Sequence, residues 1–251
     1  HGTIAAMTMI LNNLDALLIT NPTNIRYLTG FESSAPEERE AYVLLTKKQT
    51  FLFTNALYLE QARKTQAAVV EISREEPFAK KLNETMTGLH PVRRLGFEET
   101  DMTVAEYHKI MYVHKNVILV PTQGRVEELR MIKRDDEIEN MRDAANITDK
   151  CFDYILGKIK VGVTESDISR KIESFIKARG AQLAFSPIVA FNSNTSQPHY
   201  ITQPQGPALS VDHPNIVLLD FGARVNGYCS DMTRVVFVGK PTDEWTQAYK
   251  T

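Results

Sequence analysis

The chain has 251 residues and a formal net charge of −2 at pH 7, and 24% of its residues are charged. This near-neutral, mixed composition gives no reason to expect a nucleic acid or a membrane as the main partner. No apolar run is long enough to span a bilayer, while the length suffices for a substantial core in one or two domains.

Cysteine usage and the first residues indicate the compartment. Cys151 and Cys229 are isolated, which is typical of a reducing cytosol and argues against a zinc site built from thiolates. The segment 1–7 lacks the basic start and the sustained apolar core of a signal peptide. We therefore expect a cytoplasmic protein.

The first half of the chain alternates strand-like and helix-like segments, which predicts an α/β layer in which helices cover a sheet. The predicted strands are 16–20, 42–46, 50–53, 67–72, 94–97 and 117–121. The predicted helices are 57–64 and 78–89. Asn21-Pro22 is predicted to be a turn and 33–40 a polar loop. We place this amino-terminal domain at residues 8–124.

The pattern changes near residue 135, where a long helix with an apolar stripe is predicted. The stripe consists of Ile138, Met141, Ala145, Phe152, Ile155 and Ile159. A second helix begins after Thr164, with Asp167 placed to complete a capping box. Its predicted buried face is Ile168, Ile172, Phe175 and Ile176. The boundary is placed within 124–134, and the second domain is 125–251.

A hairpin in the second domain carries the most informative pattern of the chain. Asn226-Gly227 lies between two apolar runs, and this dipeptide favours a two-residue turn in which both residues take positive φ. The turn would set Val225 opposite Tyr228.

The register that follows from this turn places two carboxylates together. Counting back, Asp220 lies opposite Thr233 and Gly222 opposite Asp231, so that all four side-chain positions share one face. Asp220 and Asp231 then become diagonal neighbours roughly 7–8 Å apart at Cα. Taken alone, two such aspartates are more often solvated strand residues than ligands.

The surrounding sequence raises the functional interpretation. The runs 216–219 and 235–238 are apolar, so both strands are predicted to be buried on at least one face. Unpaired carboxylates there repel each other and are costly to desolvate, and a hard cation such as Mn²⁺, Mg²⁺ or Zn²⁺ would relieve both effects. Thr233 is placed to hydrogen-bond a ligating carboxylate as an outer-shell partner.

The catalytic-type motifs of the second half resemble those of a known family. They are Asp-Phe-Gly at 220–222, Ser-Asp-Met-Thr-Arg at 230–234, Phe-Ser-Pro-Ile-Val-Ala at 185–190 and Pro-His-Tyr at 198–200. In this order they resemble the creatinase/aminopeptidase family of pita-bread (M24) metallopeptidases. The resemblance is strongest to Xaa-Pro dipeptidases and Xaa-Pro aminopeptidases.

The amino-terminal half resembles the non-catalytic, creatinase-like domain of the same family. The segments that carry this resemblance are 21–31, 129–133 and 137–138. The match thus covers nearly the whole chain in the expected order. It implies an amino-terminal creatinase-like α/β domain followed by part of a pita-bread catalytic domain, a mixed α/β (α+β) fold.

The resemblance implies a site with two divalent metal ions, most often Mn²⁺, with Co²⁺ or Zn²⁺ as alternatives. The family holds these ions with two aspartates, a histidine and two glutamates, and the aspartates match Asp220 and Asp231. His199 matches the catalytic histidine that binds substrate without ligating metal; its plainer interpretation is a loop histidine that caps a carbonyl. Phe185 would line the pocket for the residue before proline, although a core role is about as common for a phenylalanine.

The implied activity is hydrolysis of Xaa-Pro bonds in short proline-containing peptides, through attack by a metal-bound water. The implied assembly is a homodimer. The resemblance does not separate a dipeptidase from an aminopeptidase.

The chain departs from the family after Asp231, because no histidine or carboxylate after Glu244 supplies the remaining ligands. We therefore expect that the sequence represents part of a longer enzyme and that this chain alone is inactive. The alternatives are a catalytically inactive pita-bread module used for binding, and a metal-independent amidinohydrolase similar to creatinase. The second alternative is weaker, because it predicts that the aspartates are replaced.

Overall fold

A computed structural model describes residues 9–35, 38–89 and 91–250 of the chain. They form two compact units, one that extends to Ile132 and one that starts at Lys133. Both units combine helices with sheets, which confirms the predicted mixed α/β class. Within the described residues, no helix has the length and apolar character needed to cross a membrane.

The first unit is built on a six-stranded mixed sheet with the order β4-β3-β2-β1-β5-β6. Its strands are β1 (Ala16–Ile19), β2 (Ala41–Thr46), β3 (Thr50–Thr54), β4 (Ala68–Glu71), β5 (Arg94–Glu98) and β6 (Ile118–Thr122). The β1-β2 and β2-β3 pairs are antiparallel, whereas the β1-β5, β3-β4 and β5-β6 pairs are parallel. All six predicted strands are thereby confirmed.

Helices cover both faces of this sheet because its central strands are buried on both sides. The helices are α1 (Pro22–Thr29), α2 (Leu59–Ala62), α3 (Phe78–Thr87), α4 (Val104–Val113) and α5 (Arg125–Met131). Leu17 and Ile19 of β1 lie in a cluster with residues of α1, α2 and α5, while Ala16 and Leu18 lie in a cluster with residues of α3 and α4. This alternation is the period of a strand.

The predicted turn at Asn21-Pro22 is wrong, because these residues begin a helix. The Asn21 side chain accepts hydrogen bonds from the backbone N–H groups of Thr23 and Asn24, and Pro22 occupies the first turn. Proline lacks an N–H that the first turn would leave unpaired in any case, so the same dipeptide suits a helix start. The helices α4 and α5 were also not predicted.

The second unit contains the long helix α6 (Asp135–Leu156), then α7 (Glu165–Lys177) and a short helix α8 (Asp243–Lys250). Its strands are β7 (Gln182–Leu183), β8 (Ile188–Phe191), β9 (Asn215–Phe221), β10 (Ala223–Val225), β11 (Tyr228–Cys229) and β12 (Met232–Val238). They form two three-stranded sheets with the orders β11-β10-β7 and β12-β9-β8.

The predicted apolar stripe of α6 is partly wrong. Met141 is 39% exposed and Ala145 is exposed, whereas Ile155 is buried as predicted. The face of α6 that is buried in the unit consists of Glu137, Ala144, Thr148, Cys151 and Ile155. The prediction failed because two positions of the true stripe are polar. The capping box between Thr164 and Asp167 at the start of α7 is confirmed.

One face of the sheet β12-β9-β8 packs against α6 and α7. Val217, Leu219 and Phe221 of β9 are fully buried there, together with Ile168 and Ile172 of α7. Residues of β9 at the alternate positions are only partly buried. Asp220 is one of these, so the fold directs it to the face opposite the two helices.

Candidate metal centre

The hairpin turn has the predicted conformation. Asn226 has φ of 45° and Gly227 has φ of 79°, and Val225 pairs with Tyr228 across the turn. Both central residues therefore occupy the left-handed region, for which asparagine and glycine are the favoured residues. The sequence signal and the local structure agree.

The register that starts at the turn continues unchanged into the longer strands. Asp220 of β9 pairs with Thr233 of β12, as predicted from the turn. Gly222 lies so close to the neighbouring strand that a Cβ at this position would collide with the carbonyl oxygen of Ser230. Glycine at 222 is thus what allows the two strands to approach beside Asp231.

Helix α6 anchors the backbone at this close approach. The N–H of Ala223 donates hydrogen bonds to Thr148 Oγ1 (3.0 Å) and to Ser230 Oγ (3.1 Å). The two hydroxyl oxygens lie 2.7 Å apart. Asp231 follows Ser230 directly, so the hydroxyl pair fixes the backbone from which Asp231 projects.

Asp220 has the environment of a carboxylate that lacks a partner. Its Oδ1 atom is buried and makes no hydrogen bond to the described residues. Burial raises the pKa of Asp220, and a hydrogen bond from Thr233 lowers it. The charge of Asp231 raises the pKa further, and His199 lowers it. Asp231, Thr233 and His199 are therefore the groups that act on the carboxylate of Asp220.

The open side of the site is formed by exposed residues. Asp231, Thr233 and His199 are exposed, while Asp220 is half-buried below them. His199 lies in a turn that follows a 3₁₀ segment, Asn192–Ser196.

Phe185 precedes these residues in the chain and, within the described part of the structure, forms no hydrogen bond or strand pair with them. It is partly exposed in the loop that leads into β8, and Ile188 of β8 pairs with Asp220. Asp220, Asp231, Thr233 and His199 are thus brought together, and Phe185 precedes the strand next to them. The substrate contact of Phe185 stays a prediction.

The chemistry of the donor set fits a hard divalent cation. Asp220 offers a buried oxygen without a partner, and Asp231 offers an exposed carboxylate beside it. Among residues 9–35, 38–89 and 91–250, no group of three or more histidine, cysteine, aspartate or glutamate side chains is arranged to hold a metal ion. The aspartate pair alone would therefore supply only part of a coordination shell.

Sequence reasoning missed Thr148 and Ser230, which support the site from behind. The signal available was weak: Thr148 is a polar residue four positions after Ala144 on one face of a long helix, and Ser230 immediately precedes Asp231. Neither pattern says that the two hydroxyls meet, because they are 82 residues apart in the chain.

Comparison with known families assigns both halves of the chain. The family model of the creatinase/prolidase N-terminal domain matches residues 7–132, and that of metallopeptidase family M24 matches residues 139–251. The chain belongs to metallopeptidase family M24. The resemblance predicted from the motifs is thereby confirmed.

Among curated relatives, this M24 chain is 34% identical to an uncharacterized peptidase of Bacillus subtilis over 238 residues. The alignment covers 94% of the chain and 65% of that peptidase. The chain thus spans about two thirds of the length of the curated relatives that it matches.

Solved structures of the family show the same fold. An Xaa-Pro dipeptidase from Bacillus anthracis matches with a TM-score of 0.86 and 31% identity, covering 98% of the chain and 67% of the dipeptidase. An X-Pro aminopeptidase from Thermotoga maritima matches with a TM-score of 0.81 and 26% identity, covering 95% of the chain and 66% of the aminopeptidase.

Proposed function

We propose that the protein is a metal-dependent peptidase that hydrolyses Xaa-Pro bonds, with Asp220 and Asp231 as metal ligands and His199 as a catalytic residue. The observation that carries this proposal is the environment of Asp220. Its buried oxygen lacks a partner, and a second carboxylate lies beside it across the hairpin. A divalent cation satisfies the oxygen and removes the repulsion between the two charges.

The role of the metal follows from its general chemistry. A bound divalent ion such as Mn²⁺ polarises a carbonyl oxygen and lowers the pKa of water. Asp220 would hold the ion from below and Asp231 from the exposed side. Thr233 donates a hydrogen bond to Asp220, so it would fix the orientation of that carboxylate.

His199 is suited to act on the substrate. It is exposed at the mouth of the site and is close enough to lower the pKa of Asp220. An imidazole in this position would donate a hydrogen bond to the oxyanion that develops in the transition state, or a proton to the leaving nitrogen. Phe185 would contact the side chain of the residue before proline.

The specificity for proline is supported by the two structural relatives described as an Xaa-Pro dipeptidase and an X-Pro aminopeptidase. An Xaa-Pro bond has no N–H, so an enzyme that grips its substrate by strand-like pairing lacks a donor there. A metal site avoids this loss, since it recognises the carbonyl and amine ends. Manganese as the metal, a homodimer and a cytoplasmic location stay predictions from the sequence.

The test is the manganese-dependent hydrolysis of two substrates by the complete gene product, followed as release of proline from Ala-Pro and of the amino-terminal residue from a longer Xaa-Pro-Yaa peptide. We expect release that EDTA abolishes and Mn²⁺ restores, and that Asp220→Asn and Asp231→Asn each abolish. Asp153→Asn is the matched control, because Asp153 is an exposed aspartate of α6.

Failure of the complete gene product to cleave either peptide would contradict the peptidase proposal. If that product also failed to bind Mn²⁺, the inactive binding module would be the better description. Cleavage of Ala-Pro alone would identify a dipeptidase, whereas release of the amino-terminal residue from the longer peptide would identify an aminopeptidase.

A further inference from the structure

Glu165 is a fully buried carboxylate that the proposed chemistry does not use. It is the first residue of α7 and has 0% exposure. A carboxylate at this position interacts favourably with the helix dipole, but burial without hydrogen bonds would still be costly. Its partners therefore show what the residue is for.

The carboxylate of Glu165 binds the segment that contains His199 at three points. Glu165 Oε1 accepts hydrogen bonds from the Phe191 N–H (2.7 Å) and from Asn194 Nδ2 (2.9 Å). Glu165 Oε2 accepts a hydrogen bond from the hydroxyl of Tyr200 (2.7 Å). Asn194 Nδ2 also donates to the same hydroxyl of Tyr200 (3.0 Å), which closes a small network.

Two further contacts complete the fixation of this segment. A Cβ at Gly206 would lie 2.6 Å from Glu165 Oε2, so the backbone at 206 lies directly against the carboxylate. Thr202 Oγ1 lies 3.1 Å from the N–H and 3.2 Å from the carbonyl oxygen of Val189 in β8. Residues 191, 194, 200 and 206 therefore all lie against the buried carboxylate of Glu165.

This arrangement leaves His199 as an exposed side chain on an anchored loop. Tyr200, the next residue, is buried and bonded to Glu165, whereas His199 is exposed and its charge acts on the pKa of Asp220. The helix that carries Glu165 packs through Ile168 against the same core as Leu219 of β9. Helix α7 thus contacts both the loop that carries His199 and the strand β9 that carries Asp220.

We propose that Glu165 is a positioning residue that fixes His199 relative to Asp220 and Asp231. This inference rests on the proposed function, because only that function assigns His199 a role beside Asp220 and Asp231. Glu165 does not reach the substrate or the metal; it acts through Tyr200 and Asn194. Loss of its charge releases the turn at 198–199 and lets the imidazole leave the aspartate pair.

The test uses NMR on the complete gene product with isotope-labelled histidines and added Mn²⁺, whose unpaired electrons broaden nearby resonances. In the wild type, Mn²⁺ at the aspartates should broaden the His199 imidazole signal and the Thr233 amide, and should spare His213, an exposed loop histidine. Glu165→Gln should keep the broadening of Thr233 and lose the selective broadening of His199. Glu173→Gln, which changes a partly exposed glutamate of α7 that pairs with Lys177 of the same helix, should behave like the wild type.

A second readout does not depend on the metal. Backbone relaxation in Glu165→Gln should show increased motion at residues 194–200 while β9 remains ordered. If Glu165→Gln does not fold, Tyr200→Phe removes one of the three donors and tests the same link, with a smaller loss of His199 broadening. Because Mn²⁺ is required only for the first readout, relaxation shows independently whether Glu165 orders the loop.

The outcomes separate the two proposals. Unchanged His199 broadening and unchanged relaxation in Glu165→Gln would overturn the positioning role. Absence of Thr233 broadening in the wild type would contradict the metal site instead, and the relaxation data would still decide whether Glu165 orders the loop.

Discussion

Two regions of the molecule bury a carboxylate in opposite ways. In the first unit, Glu98 is 8% exposed at the end of β5 and both of its oxygens are occupied. Oε2 accepts hydrogen bonds from the N–H groups of Thr20 (2.6 Å) and Asn21 (2.7 Å), and Oε1 accepts one from Asn24 Nδ2 (2.6 Å). This carboxylate is a structural centre of its unit.

In the second unit, Asp220 is buried less and satisfied less. One oxygen has no partner among the described residues, and the charge of Asp231 raises the pKa of Asp220 further. Burial raises the pKa of Glu98 and that of Asp220 alike, so a raised pKa does not distinguish the two. The comparison teaches that the hydrogen-bond partners, rather than the pKa direction, separate a structural carboxylate from a candidate ligand.

The largest effect should follow from Gly222→Ala, which removes the close approach that creates the environment of Asp220. The new Cβ would collide with the Ser230 carbonyl oxygen, so the strands must separate. We expect a loss of about 3 kcal/mol or more in the free energy of unfolding, measured by urea denaturation.

Gly157→Ala is the matched control in the same unit. Gly157 has φ of −73° at the end of α6, and the nearest atom to a new Cβ would be the Tyr154 carbonyl oxygen at 3.6 Å. Its stability should change by less than about 1 kcal/mol, in the stabilising direction. Equal stability of the two variants would show that the hairpin tolerates a wider spacing.

The comparison is tested directly by amide substitutions at the two carboxylates. Glu98→Gln sets an NH₂ group against the donors of Thr20 or Asn24, so we expect a loss of about 2–4 kcal/mol in the free energy of unfolding. Asp220→Asn removes the repulsion with Asp231 and should change stability by less than about 1 kcal/mol in metal-free buffer. A loss in Asp220→Asn as large as that in Glu98→Gln would make Asp220 structural.

The smallest expected effect is a pH dependence at Glu98. Burial raises the pKa of Glu98 above its ordinary value of 4.5, and hydrogen bonds from Asn21, Asn24 and Thr20 act in the opposite direction. Stability from this group is therefore fully present below pH 4.5 and is lost as the pH rises through the raised value.

Glu98→Gln lacks that titration, so its cost in unfolding free energy should decrease as the pH rises through this window. Urea denaturation of both proteins from about pH 4 to about pH 8 measures this difference in unfolding free energy, because buried carboxyl groups titrate within that range. A cost that grows with pH would mean that the three donors lower the pKa of Glu98 instead.

The site was more predictable than the network around it because its geometry is local. Asn226-Gly227 sets the register, and a period of two then places Asp220 and Thr233 opposite each other, which the structure confirms. Glu98 and its partners are more than 70 residues apart, and Glu165 and Tyr200 are 35 apart. Such contacts depend on how whole elements pack, which no periodicity encodes.

The errors in the fold prediction have the same cause. The dipeptide Asn21-Pro22 suits a turn and a helix start equally, and the packing of Ile25 against the sheet decides between them. On α6, Thr148 is polar, so a search for an apolar stripe does not find it. Its burial is possible because its hydroxyl forms hydrogen bonds with Ser230 and Ala223.

The most direct measurement of the central claim is the number of Mn²⁺ ions that the complete gene product binds, determined by electron paramagnetic resonance of free Mn²⁺ during titration. The account predicts saturable binding that Asp220→Asn and Asp231→Asn each abolish and that Asp153→Asn leaves unchanged. Equal Mn²⁺ uptake by all four proteins, or none by the wild type, would contradict the assignment of the aspartate pair as a metal site.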